Sequence, residues 1–436
     1  MKPVKVGLLG LGTVGGGTLN VLVRNAQEIA RRAGRGIVVS HAAAREYIPS
    51  QLELDGVEIC NDAFAVVANP EVDIIVELIG GYSPARELVL EAIKNGKHVV
   101  TANKALIAMY GNEIFAAAQE KGVTVGFEAA VAGGIPIIKA VREGLAANHI
   151  EWIAGIINGT GNFILTEMKD KGREFSDVLK EAQELGYAEA DPTFDVEGID
   201  AAHKLTILAS LAFGIPLQFE KCFTEGISKI EPQDVTYAEQ FGYRIKHLGI
   251  TRKTEAGVEL RVHPTLIPAE RLLANVNGVM NAVMVEGDAV GPTRSYGAGA
   301  GGGPTASAIV ADIIDVARGL EDPFHSNVPH LAFHSEYLSA ERILPIEEVE
   351  TAFYLRMEVV DRPGVLSKIA QIMSDAGISI EALIQKAPKH GAVTVPLILL
   401  TNVAREGLLM DAVASIEALD SVTGAVTRMR VEALDG

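Results

Sequence analysis

Basic residues are the scarce class in this chain. Its 436 residues hold 38 Lys and Arg against 56 Asp and Glu, a formal net charge of −18 at pH 7. A surface that acidic has nothing with which to neutralise a phosphate backbone, which argues against nucleic acid as a partner, and it is repelled by an anionic membrane. Cysteine is scarcer still. Cys60 and Cys222 stand alone, with no metal-ligand spacing around either. That pattern fits a reducing cytoplasm, with both thiols as small core residues. No apolar run reaches the length of a membrane helix. A strand-like stretch begins at Val4, so no secretory leader is expected. The length suggests about three domains, and a hydrophobic content of 48% is enough to fill their cores.

What is present starts at once. Val4 to Leu9 reads as a buried strand, and Gly10-Leu11-Gly12-Thr13-Val14-Gly15 follows directly. A G-x-G-x-x-G turn between strand and helix sets a dinucleotide pyrophosphate on the helix N-terminus. The plain alternative is a glycine-rich turn with no ligand. Strands are then expected at Ile37 to Ala43, Val72 to Ile79, His98 to Thr101 and Val123 to Glu128, with a helix starting near Ser83-Pro84. Strand–helix alternation of this kind implies a doubly wound, mostly parallel sheet over residues 1–130, a Rossmann-type α/β domain.

The middle, 131–320, reads as an α+β domain for substrate binding, catalysis and dimerisation. Strands are expected at Ile150 to Ile157, about 258–267 and about 279–290, with helices at about 177–186 and 199–213. The run from Gly297 to Thr305 is too poor in side chains to pack them, so it suits a backbone lying flat against something, or a flexible linker. Residues 321–350 read as a linker. Residues 351–436 give the order β-α-β-β-α-β, a separate ferredoxin-like domain.

Hydride chemistry on a carbonyl needs a held cofactor, a grip on the substrate and an acid or base at the oxygen. Thr101-Ala102-Asn103-Lys104 closes a strand of the nucleotide domain, where ligands bind in this architecture. Glu189 lies in Gly186-Tyr187-Ala188-Glu189-Ala190-Asp191-Pro192, a turn, and could take an ammonium group. Asp200 and Lys204 share one helix face that continues with Ile207, Leu208 and Leu211. In a cleft, desolvation would lower that lysine's pKa and the aspartate would raise it, as suits a proton donor; on the surface it would be an ordinary ion pair. Each of these side chains has a plain solvated alternative. For the cofactor, no acid ends the second strand, and Arg45 stands where a 2′-phosphate would lie, which favours NADP, while Glu46 keeps NAD open.

Taken together, these motifs resemble the homoserine dehydrogenase family over essentially the whole chain. The resemblance rests on Gly10-x-Gly12-x-x-Gly15, Thr101 to Lys104, Phe127 to Pro136, Asn158-Gly159-Thr160-Gly161-Asn162-Phe163, Leu185 to Pro192, Asp200-x-x-x-Lys204-Leu205 and Gly299 to Thr305. The last segment resembles an ACT regulatory domain, with Asp361-Arg362-Pro363-Gly364-Val365-Leu366 as its opening loop. The resemblance implies NAD(P)-dependent interconversion of L-homoserine and L-aspartate 4-semialdehyde on the route to threonine, isoleucine and methionine. It implies Lys204 as proton donor, Lys104 as its assistant near the nicotinamide, and Glu189 and Asp200 as substrate ligands. It implies cofactor contacts at Gly10, Leu11, Gly12, Thr13, Val14, Gly15, Arg45, Thr101, Lys104, Gly186 and a loop glycine taken as Gly301. It also implies a monovalent cation such as Na+ on Glu128 and the carbonyls of Val131, Gly133 and Ile135, where the alternative is a domain hinge. L-Threonine is the implied effector, near Asp361 and Gly364, and a homodimer or homotetramer the implied assembly. Two rival readings remain: a cofactor-sensing regulator without catalysis, and a dehydrogenase of another amino-acid semialdehyde. Neither cysteine sits in a motif for a thiol nucleophile, which disfavours acyl transfer. If Arg45 reads the 2′-phosphate, Arg45→Glu weakens or reverses a preference for NADPH over NADH, measured as the ratio of the two kcat/KM values.

Overall fold

The computed structural model describes residues 2–44, 52, 54–320, 328–386 and 393–434, so Arg45 and Glu46 lie outside the described residues. Six strands build the first sheet: β1 (Val4–Leu9), β2 (Ile37–Ala43), β3 (Glu58–Cys60), β4 (Ile74–Glu77), β5 (His98–Thr101) and β6 (Val125–Gly126). Their order is β3-β2-β1-β4-β5-β6, and every pairing is parallel. The strand order reverses between β1 and β4, the place where such sheets open a crevice at their carboxyl ends. The expected strands at 72–79 and 123–128 are trimmed to β4 and β6, because flanking residues leave the ladder for the turns that carry the site.

Both sheet faces are covered. Helix Thr13–Arg24 packs on one of them, together with helix Gly302–Gly319. That second helix follows the glycine run, so the chain returns from the middle domain to seal the nucleotide sheet, with Ile309 and Ile313 among the buried side chains beside Val6, Val76 and Val100. The other face is covered by helices Ala85–Lys94 and Lys104–Lys121, and beyond them lies helix Ile199–Phe213. Every residue of that last helix from Asp200 to Phe213 is buried. A helix enclosed on all sides reads as apolar throughout, which makes its charged members the exception to explain.

The second sheet contains β7 (Ile150–Ile156), β8 (Phe223–Thr224), β9 (Tyr243–Thr254), β10 (Gly257–Pro268), β11 (Met280–Gly287), β12 (Gly291–Ala298), β13 (Glu350–Val360), β14 (Ile380–Gln385), β15 (Thr394–Thr401), β16 (Ala404–Arg405) and β17 (Val422–Val431). Its main order is β12-β11-β7-β9-β10-β17-β13-β15-β14. The twelve-residue β9 was not foreseen, since Lys246 and His247 interrupt its apolar pattern. Both are buried, with Lys246 Nζ giving its protons to the Val276 carbonyl at 2.5 Å and the Asn162 amide oxygen at 3.1 Å.

The expectation of a separate C-terminal domain needs correction. Its β-α-β-β-α-β order is present, but β17 pairs in parallel with β10, Thr265 opposite Arg430 and Leu266 opposite Val431. One sheet therefore runs through both domains. Phe353, Leu355, Leu397 and Leu399 face the domain's own helices, Val365–Asp375 and Glu406–Glu417. Tyr354, Ile398, Leu400 and Met429 face the middle domain's helices instead. A two-helix layer covers one sheet face only, so the other needs a neighbour. The segment expected as a linker is likewise packed where it is described. Val258 and Leu344 exchange backbone bonds with Arg342 and Val258, at 2.8 and 2.9 Å, and Leu331, Ile343 and Leu344 are buried. Both cysteines are half-buried rather than core residues. Among the described residues no helix is long and apolar enough to cross a membrane.

Candidate active site

The glycine turn after β1 has the geometry its spacing predicts. Gly10 has φ +106°, and a Cβ on Gly15 would stand 2.0 Å from the Gly10 carbonyl oxygen. A Cβ on Gly12 would meet nothing within 4 Å. The outer glycines are thus required by the fold, whereas the middle one leaves open space above the backbone. Leu11 is buried in the core, so only its backbone faces that space, while Gly12 and Thr13 are exposed. A second helix N-terminus stands beside the first. A Cβ on Gly17 would meet the Gly302 carbonyl oxygen at 2.4 Å, and Gly301, with φ +119°, caps helix Gly302–Gly319. Two helix starts, each with unpaired N–H groups and a partial positive charge, suit a pyrophosphate.

The carboxyl ends of β4 and β5 are held by one buried carboxylate. Glu77 takes the N–H groups of Ile79 and Gly80 at 2.8 and 3.0 Å on one oxygen, and the Thr101 hydroxyl at 2.7 Å on the other. Thr101 Oγ1 in turn accepts the Asn103 N–H at 3.0 Å. Its side chain is committed to this loop, so a contact with a cofactor falls to its backbone. Asn103 donates to the Gly81 carbonyl at 2.7 Å and caps the next helix by accepting the Leu106 N–H at 3.0 Å. The helix therefore begins at Lys104, whose amine is delivered across the domain boundary.

There it meets Asp200. Lys104 Nζ lies 2.8 Å from Asp200 Oδ1, and Lys204 Nζ lies 2.7 Å from Oδ2. Oδ2 also accepts from Asn158 Nδ2 at 2.8 Å, and Lys204 gives a further proton to the Ile157 carbonyl at 2.7 Å. Burial by itself would raise the pKa of Asp200, but Lys204 and then Lys104 hold it well below the usual carboxylate range. The two amines are driven apart. Burial lowers the pKa of Lys204 against the pull of Asp200, whereas Asp200 raises that of the half-exposed Lys104. Asp195, which accepts from Asn158 Nδ2 at 2.7 Å, is raised by burial and by Asp200 beside it. His203 precedes Lys204 and is buried under Phe219, with ring centroids 4.2 Å apart. Burial lowers its pKa to about 4, so it is neutral near pH 7.

Glu189 and Gly186 are exposed on the loop after helix Phe175–Glu184. Glu189 lies near enough to Lys104 to raise its pKa. Gly186 has φ +73° and ends that helix, its N–H bonding the Gln183 carbonyl at 3.1 Å.

Glu128 is buried, and its oxygens accept the Ile138 and Lys139 N–H groups at 2.9 and 2.8 Å. Its own N–H donates to Asp312 at 2.8 Å. Burial, and then Asp312, raise the Glu128 pKa to about 7, and burial raises that of Asp312 to about 6. The adjoining turn has positive φ at Ala132 and Gly133, +54° and +40°. Two buried carboxyl groups beside this buried turn make a hard, oxygen-rich donor set of the kind a cation prefers. The Ile135 carbonyl already accepts the Ile137 N–H at 2.8 Å, so it is the least free of the three expected carbonyl ligands. Asn158, Glu77 and Asp312 were not picked out from sequence. Asn158 lay inside a quoted motif; for the other two, the partners that tie them into the site, Thr101 for Glu77 and Glu128 for Asp312, are 24 and 184 residues away.

Three family models match the chain. A family model described as homoserine dehydrogenase matches residues 136–314, one described as the homoserine dehydrogenase NAD binding domain matches 10–128, and an ACT domain model matches 353–418. The homoserine dehydrogenase of Pseudomonas aeruginosa is 66% identical over 435 residues, covering 100% of both chains. The crystal structure of a homoserine dehydrogenase from Thiobacillus denitrificans has a TM-score of 0.94 at 64% identity, covering 100% of this chain and 99% of that one. A hyperthermophilic archaeal homoserine dehydrogenase in complex with NADPH has a TM-score of 0.61 at 26% identity, covering 74% of this chain and 99% of that one.

The middle and last glycines of the turn separate binding from folding. Gly12→Ala is expected to melt like the wild type while weakening NADPH at least about tenfold, since its methyl fills only the phosphate's space. Gly15→Ala overpacks the turn at about 1–3 kcal/mol and loses both. Thermal melting and fluorescence titration with NADPH read the two effects.

Proposed function

The chain belongs to the homoserine dehydrogenase family, an oxidoreductase with a nicotinamide-binding domain and an ACT domain, and on that premise we propose that it interconverts L-homoserine and L-aspartate 4-semialdehyde, using NADP in preference to NAD. The observation that carries this reading is the Asp200 carboxylate clasped between Lys104 and Lys204 at the boundary of the nucleotide domain. A cofactor sensor has no use for a buried amine poised to lose a proton. When bound, the nicotinamide supplies or takes the hydride.

The protein's own share is proton transfer and grip. Lys204, held by Asp200 and the Ile157 carbonyl, keeps a proton for the aldehyde oxygen as it becomes a hydroxyl. Lys104 adds positive charge on the other side of the same carboxylate and stabilises the developing alkoxide. Asp200, with Lys104 on one oxygen and Lys204 and Asn158 on the other, places the lysines, and together with Glu189 it holds the substrate's ammonium and hydroxyl end. Gly10 to Gly15, Thr101, Gly186 and Gly301 form the cofactor cradle.

The same premise extends to the other ligands. Sodium or a similar monovalent cation is assigned to Glu128 with the carbonyls of Val131, Gly133 and Ile135. A cavity of about 440 Å³ lined by Asp361, Gly364 and Gln385 in the C-terminal domain is assigned to an amino-acid effector, L-threonine. The chain is taken to act in the cytoplasm as a homodimer or homotetramer.

The direct test is oxidation of L-homoserine with NADP+ and with NAD+, with and without L-threonine; absence of turnover with both coenzymes overturns the reading. Lys204→Ala is expected to lower kcat by about 10²–10⁴-fold while NADPH still binds. Asp200→Asn removes the charge that raises both lysine pKa values. Reduction needs a protonated amine and fails as pH rises through the amine's pKa, so the alkaline limb of kcat for semialdehyde reduction moves to lower pH in this variant. Replacing sodium by tetramethylammonium is expected to lower the melting temperature of the wild type more than that of Glu128→Gln, as calorimetry measures.

A further inference from the structure

His247, on β9, is buried and lies outside the proton-transfer set. Its Nε2 donates to the Glu225 carbonyl oxygen at 2.9 Å, and Nδ1 has no partner among the described residues. The ring is wedged between two glycines. A Cβ on Gly198 would meet His247 Cε1 at 2.9 Å, and one on Gly161 would stand 3.7 Å from Nδ1. Gly198, with φ +84°, is the N-cap of the helix that carries Asp200 and Lys204. The Gly161 N–H binds Asn158 Oδ1 at 2.7 Å, and Asn158 binds Asp200. The imidazole thus borders Asp200's supports on two sides, the start of its helix and its amide partner.

The far side of this wedge belongs to the C-terminal domain. The Glu225 carboxylate lies 2.8 Å from Arg430 Nη1 on β17. Arg430 is 2% exposed, stacks 4.7 Å over Phe223, and gives Nε to Glu406 at 2.8 Å. Glu406 opens helix Glu406–Glu417. Phe353 of β13 pairs with Arg430, and β13 runs on to Asp361 and the cavity there. A buried guanidinium with two carboxylate partners cannot drift from either without a large loss.

We propose that His247 is a positioning residue for Asp200, and that Arg430 and Glu225 transmit the placement of the C-terminal domain to it. This inference rests on the reading of Asp200 as part of the catalytic machinery. The link is short, made of packed and hydrogen-bonded groups, and joins two elements that would otherwise move separately.

The test uses the full chain and four variants: Glu225→Gln, His247→Gln, the double variant, and Arg430→Lys, which retains the positive charge. Amide hydrogen exchange and the kinetics of L-homoserine oxidation are measured on each. Glu225→Gln keeps the carbonyl that holds His247 and loses only the ion pair with Arg430. It is expected to speed exchange at residues 196–204 at least about fivefold and to lower kcat by about three- to tenfold with KM for NADP+ unchanged. Arg430→Lys, which keeps a positive charge beside Glu225, is expected to change both much less than Glu225→Gln does. The double variant is expected to be no worse than His247→Gln alone, the mark of a shared path. Faster exchange confined to residues 222–226 and 426–432, or losses that simply multiply, overturns the proposal. If the wild type fails to oxidise L-homoserine, the functional reading fails, and the exchange data still decide whether the link exists. If His247→Gln does not fold, the Glu225→Gln exchange pattern decides.

Discussion

A carboxylate at the head of a helix enclosed on every side has to be neutralised where it stands. Asp200 is buried, and moving a lone charge into such a place would cost more than most domains have to spare. Lys204 comes from the same helix, one turn on, and Lys104 comes from the nucleotide domain. The second pairing forces the two domains together at one point. Breaking a buried ion pair from one side costs about 3–5 kcal/mol, a large share of the roughly 5–15 kcal/mol that holds a typical domain folded. The contact that tunes the amines is therefore also the contact that sets the cleft.

The supports behind that contact are built in layers. Glu77 fixes the ends of β4 and β5 and, through Thr101 and Asn103, the first turn of the Lys104 helix. Asn158 spans Asp195 and Asp200 with one amide nitrogen. The long glycine-poor helices carry the charges, while the glycine turns let backbones approach each other. Gly17 against Gly302 is the clearest case, because it brings two helix starts side by side where an anion would lie.

The C-terminal domain is not an appendage on a tether. Its sheet continues the middle domain's sheet through β17 and β10, and the seam is stitched by buried ions. Arg356 bonds Asp234 at 2.5 Å, Arg261 bonds Glu432 at 2.5 Å, and Arg430 bonds Glu225 at 2.8 Å. An apolar seam would be at least as stable, since buried ion pairs return little more than they lose in desolvation. Their directional bonds fix one register instead. A domain fixed that way can pass a displacement to its neighbour, as a loosely linked one cannot.

The sequence by itself determined the elements whose signals are local. The glycine turn, β1, β2, β5, the 199–213 helix, the pairing of Asp200 with Lys204 and the β-α-β-β-α-β order of the last segment were all legible, because period, turn chemistry and i,i+4 spacing act within a few residues. Tertiary structure alone decided the rest. That Lys104 reaches Asp200 rather than solvent, that helix Gly302–Gly319 seals the nucleotide sheet, that β9 is a strand despite Lys246 and His247, and that the segment around Arg342 packs on β10 depend on partners far away in the chain. Burial is the physical reason: it turns a charge that local pattern reads as a surface feature into one that must find a partner, and only the fold says which partner is within reach.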